Sequence, residues 1–114
     1  MADDVMYINT EEGIKRVMDN TKLYVKLLTK FRAETSLDEL VAALASGDME
    51  NAQVQAHTIK GISANLSLSE LFRQVLELET QIKARSVDPG QTEKVKAVFT
   101  ETLQEIDRVI AQNG

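Results

Sequence analysis

Residues 46 to 66, "SGDMENAQVQAHTIKGISANL", read as one helix with a marked beginning. Gly47 suits the left-handed residue that ends a preceding helix, and Asp48 suits the N-cap of the next. From there Met49, Ala52, Ala56, Ile59, Ser63 and Leu66 recur at spacings of three and four, the seam of a helix packed on one side. On helical geometry His57 falls more than about 90° from the centre of that seam, on the solvent side. Gly61 and Ala64 lie on the same outward side, and Lys60 stands at the flank, in i,i+3 reach of His57. A glycine inside a helix costs about 1 kcal/mol against alanine, and an ordinary surface face carries Glu, Lys or Gln. Around its one histidine this helix is cleared instead, as though another body approaches the ring.

Working outward, the punctuation predicts helices on both sides. Asn9 with Glu12, Ser36 with Glu39 and Ser67 with Glu70 each form a capping-box pattern. The first starts a short helix carrying Ile14, Val17 and Met18. Asp19 or Asn20 restarts the chain for a stretch in which Leu23, Leu27 and Phe31 share a face, flanked by Tyr24 and Leu28. The second box opens a stripe of Leu37, Leu40, Val41 and Leu44; residues 20 to 46 fit either one bent helix or two. After Ser67 comes a long helix with Leu68, Leu71, Val75, Leu78 and Ile82. "SVDPGQ" is a loop with Asp88 as cap and Pro89 in the first turn. The last helix runs to about residue 111 through Val95, Val98, Phe99, Leu103, Ile106 and Val109. Connections this short favour antiparallel neighbours. The expectation is an all-α fold, an antiparallel four-helix bundle with an additional short N-terminal helix, in one domain over residues 1–114.

The bulk composition narrows the function. With 13 basic and 18 acidic residues the net charge is −5, and the cations are scattered. There are three Phe, two Tyr and no Trp. A nucleic-acid binder needs a basic stripe, and single strands need aromatic platforms, so nucleic acid is not the expected partner. No cysteine and one histidine leave no thiolate nucleophile and no structural zinc site. The acid pairs Asp3–Asp4 and Glu11–Glu12 read as solvated, cap-favouring charges, not metal ligands. No glycine-rich phosphate loop occurs, so no ATP site and no cofactor are expected. No apolar run approaches the length of a membrane span, and the acidic start is unlike a signal peptide; the chain reads as cytoplasmic.

The chemistry left to His57 is nucleophilic. Imidazole is largely neutral near pH 7, so one ring nitrogen keeps a free lone pair, and a neighbouring lysine neutralises phosphoryl oxygens once they are attached. At "HTIKGIS", residues 57 to 63, the sequence resembles the histidine-containing phosphotransfer (HPt) family of two-component phosphorelays, whose signature is close to H-x-[LI]-K-G-x-[SA]. The resemblance extends through "INTEEGIKRVMDNTKLYVKLLTKF", "SGDMENAQVQAHTIKG" and "ELFRQVLELE", roughly residues 8 to 110.

It implies His57 as the phosphoacceptor at Nε2, Lys60 as the cation that steadies the phosphoryl group, and Gly61 as clearance for that group and the partner. It further implies Glu79 on the adjacent helix as the acceptor that orients the imidazole. The implied partners are receiver domains of response regulators and hybrid sensor kinases, which bring the Mg²⁺. The chain itself would be a monomeric phosphocarrier, not an enzyme. Two rivals stand beside it: the phosphoacceptor domain of a chemotaxis-type or hybrid histidine kinase, and a helical adaptor that binds receivers without taking phosphate. One departure is Ser67, where the family often has glycine after "N-L"; an altered turn capped by serine is expected.

Overall fold

The computed structural model describes residues 5–113. They form helices α1 (Thr10–Arg16), α2 (Thr21–Phe31), α3 (Ser36–Ser46), α4 (Met49–Asn65), α5 (Ser69–Lys83) and α6 (Pro89–Asn113). The all-helical expectation holds, and residues 20 to 46 are two helices. α4 is the central element, packed on α3 and α5, while α5 and α2 both pack on α6. Asp3 and Asp4 lie outside the described residues.

The boundaries around α4 form as expected. Gly47 sits at φ +78°, and the Asp48 side chain accepts the Asn51 N–H at 3.1 Å. Asn9 and Asn20 likewise cap α1 and α2, accepting from Glu12 and Leu23 at 3.1 and 3.0 Å. The other two boxes do not form. α3 is entered from Thr35, with no side-chain cap bond, because the Ser36 hydroxyl donates to Glu34 and is buried.

At the α4–α5 turn the N-cap is Leu68, again without a side-chain bond. Ser67 is instead the left-handed residue that closes α4, at φ +57°. The Leu68 N–H reaches the Ser63 carbonyl at 2.8 Å and the Ser67 N–H reaches that of Ala64 at 3.3 Å, the Schellman arrangement. Serine pays no role as an N-cap here, so the expected serine-capped turn is corrected: the turn takes the backbone form that suits glycine.

What holds a serine there is α1. The Ser67 hydroxyl donates to Glu12 at 2.8 Å, and its carbonyl accepts the Asn9 N–H at 2.9 Å. Glu12 is therefore a tether, not merely a solvated charge, and the reciprocal half of the Asn9 box is replaced by a bond across the fold.

The buried face of α2 also differs from the expected one. Tyr24 and Leu28 are fully buried with Phe31, whereas Leu23 is 39% exposed and Leu27 half-buried. The tyrosine enters the core because its hydroxyl has a partner, donating to the Leu66 carbonyl at 2.7 Å at the end of α4. α1 makes room by Gly13, where a Cβ would stand 2.4 Å from the Tyr24 ring. Phe31 meets Phe99 of α6 with ring centroids 5.5 Å apart. The seam read on α5 is wholly buried; on α4 and α6 Met49, Phe99 and Leu103 are only half-buried at its edge, and Thr102 joins the buried face of α6.

Tyr24→Phe should cost about 1–3 kcal/mol in urea denaturation, since it strands a buried carbonyl. Burial, and then the charge of Glu12, push the Tyr24 pKa up to about 12 from 10.0. Between those values the unfolded chain holds fewer protons than the folded one. Tyr24's stabilisation is full below pH 10, and the gap between wild type and Tyr24→Phe should shrink as pH rises towards 12.

Candidate functional site

The seam of α4 buries Ala52, Ala56, Ile59 and Ser63. That orientation turns His57 outward, with 71% of its side chain exposed. Ser63 is a packing residue whose hydroxyl donates to the Ile59 carbonyl at 2.7 Å. α5 runs back along α4 from the turn at Leu66–Leu68 and lays Leu71, Val75, Leu78 and Ile82 on the core. Its register brings Glu79, next to Leu78 on the chain, under the imidazole.

Glu79 is the buried centre of the cluster, its side chain 3% exposed. Oε2 lies 3.3 Å from His57 Nδ1, and Oε1 lies 2.7 Å from Lys60 Nζ. Lys83, one turn further along α5, approaches Oε2 at 3.8 Å. Burial alone would raise the Glu79 pKa. The hydrogen bond and charge of Lys60, then the charge of Lys83 and the His57 hydrogen bond, outweigh it and hold the carboxyl below its ordinary value. A carboxylate has only acceptor atoms, so the proton between it and the ring belongs to Nδ1. In the neutral ring that leaves the lone pair on Nε2.

Gly61 faces open space: a Cβ there would meet nothing within 4 Å. The protein's own packing places no demand on this glycine, so relief of a tight helix crossing does not explain it. Exposed Val54 and Leu76 add apolar surface on the same two helices. A cleft of about 540 Å³ opens beside the ring. A second cleft of about 570 Å³ lies between α1, α2 and the end of α4, floored by Val17, Phe31 and Ile62, and His57 does not line it.

The structure thus gathers His57, Lys60 and Glu79 at one place and leaves Gly61 unobstructed one turn from the ring. Lys83 was not singled out in the sequence, although its i+4 relation to Glu79 was there to be read. No described helix is long and apolar enough to cross a membrane.

No curated protein and no solved structure matches the chain. The model of the Hpt domain family matches residues 26–112, from inside α2 to the end of α6; the stretch from 8 to 25 that entered the resemblance lies outside it. Hpt domains are phosphocarriers, not kinases, and interact with receiver domains in phosphorelays. With residues 26–112 matched, well over half of the chain, this protein belongs to the Hpt domain family, the histidine phosphotransfer modules of two-component signalling.

Proposed function

We propose that the protein is a cytoplasmic phosphorelay intermediate. His57 accepts a phosphoryl group from the aspartyl phosphate of a receiver domain, on a response regulator or hybrid kinase, and passes it to the aspartate of another receiver. One observation carries the reading: an exposed imidazole whose Nδ1 is held by a buried carboxylate, with no hydrogen-bond partner for Nε2 among the described residues.

The Nε2 lone pair attacks phosphorus, and the P–O bond to the aspartate breaks with its electron pair leaving on the carboxylate. The ring keeps its Nδ1 proton and becomes cationic; Glu79, 3.3 Å away, offsets that charge. The same proton keeps imidazole a good leaving group, so the phosphoryl group moves on when a second aspartate attacks. Lys60 neutralises phosphoryl oxygens from the flank of the helix. Gly61, Val54 and Leu76 supply a surface low enough for a receiver to bring its aspartate to the ring. The chain needs no ATP site and acts as a monomer in this scheme.

The test is incubation with phosphorylated receivers and hybrid kinases. Label should appear on the protein, acid-labile and alkali-stable as a phosphoramidate is, and peptide mass spectrometry should place it on His57. A folded protein that takes no label from a panel of competent donors would overturn the proposal.

A further inference from the structure

The geometry points to Lys83 as a second cation for the phosphoryl group on His57 Nε2, working from α5 opposite Lys60. This rests on the reading of His57 as phosphoacceptor and deepens it.

The two lysines stand differently towards Glu79. Lys60 Nζ is hydrogen-bonded to Oε1 at 2.7 Å, and its side chain is drawn in to 22% exposure. Lys83 Nζ stands 3.8 Å from Oε2, beyond hydrogen-bonding distance, on a side chain that is 55% exposed. Lys83 is therefore held by charge alone and gives up little when it turns elsewhere. Its anchor is also the better placed one, because Oε2 is the oxygen that faces the imidazole.

The cleft beside the ring makes the same distinction. Its walls include His57, Glu79, Glu50, Gln53, Val54 and Lys83, but not Lys60. A phosphoryl group on Nε2 brings up to two negative charges to the rim of a space that already carries two carboxylates. Lys83 is the cation among the described lining residues. Its ammonium need only rotate on its four-carbon stem to leave Oε2 for a phosphoryl oxygen, while Lys60 spends one N–H on Oε1, which keeps Glu79 neutralised, and has its other donors for the phosphoryl group. The bland alternative is that Lys83 serves only the last turn of α5, where a cation suits the helix carbonyls and an i,i+4 partner. That role would not touch the phosphoryl group.

The two are separated by phosphorylating the full chain with potassium phosphoramidate, which needs no protein partner, and following the phosphohistidine by ³¹P NMR against pH. A nearby cation favours the doubly charged phosphoryl form. Lys83→Gln should therefore raise the apparent pKa of the phosphoryl group by roughly half a unit to one unit, at low salt. Lys83→Arg should stay near wild type, and circular dichroism should show all variants folded. Identical titrations for wild type and Lys83→Gln would overturn the role of Lys83 and leave His57 as carrier. No phosphohistidine signal from folded wild type, under conditions that phosphorylate free histidine, would overturn the reading of His57 and this one with it.

Discussion

His57→Gln is expected to take up no phosphoryl group from any donor that labels the wild type. Glutamine keeps a polar side chain of similar reach, but its amide nitrogen has no lone pair free to attack phosphorus. The chain holds no second histidine and no cysteine to take over. Loss of label cannot be put down to unfolding, because the imidazole is 71% exposed and, among the described residues, its polar partner is Glu79 alone. Stability should change by about 0.5 kcal/mol or less, the usual range for a surface position. The same experiment sorts the rivals. Label delivered to His57 by ATP through a kinase catalytic domain, and not by receivers, would favour the phosphoacceptor domain of a longer kinase. Receiver binding without label in the wild type would favour the adaptor.

Glu79→Gln should have the next largest effect, and on two readouts. An amide in place of the carboxylate presents either its oxygen or its NH₂ group to Nδ1, so the tautomer is no longer dictated, and it cannot offset the charge of the phosphorylated ring. Removing such a partner from a metal-binding histidine typically costs 10–100-fold, and a loss of about that size in transfer rate is expected here. The change also leaves Lys60 without its counter-charge. Since Lys60 retains some exposure, the loss of stability should be about 1–3 kcal/mol, below that of a fully buried broken pair.

The pH dependence distinguishes the charge from the shape. Glu79 is held below its ordinary value of 4.5, so the stability it contributes is full above that pH. It is lost as pH falls through the lower, folded pKa. The difference in unfolding free energy between wild type and Glu79→Gln should be flat near neutrality and close in acid. A gap that persists unchanged below pH 4 would assign the effect to packing.

Much of α4 could be read directly. The seam from Ala52 to Ser63, the stop at Gly47, the cap at Asp48 and the outward placing of His57 all follow from a periodicity that one helix fixes by itself. The same was true of α5 and α6, whose apolar residues leave little doubt about the inner face. Other local signals competed with distant ones and lost. The Ser67–Glu70 box was outweighed because α1, some 55 positions away on the chain, takes the Ser67 hydroxyl. The face of α2 rotated towards Tyr24 because a carbonyl 42 residues distant completes its hydroxyl.

The candidate site divides in the same way. Its histidine, its flanking lysine and the open glycine sit within five residues, and a single helix sets their mutual placing. Glu79 and Lys83 belong to the neighbouring helix, and nothing in their own stretch shows whether a carboxylate beside Leu78 is solvated or buried. That depends on the length of α4, the left-handed turn at Ser67 and the register in which α5 returns. The sequence by itself determined which side of α4 faces water. The tertiary structure alone decided that a buried carboxylate stands beneath the imidazole and dictates which nitrogen is left free. Periodicity acts over a few residues, whereas burial of a charge is settled only where two helices meet.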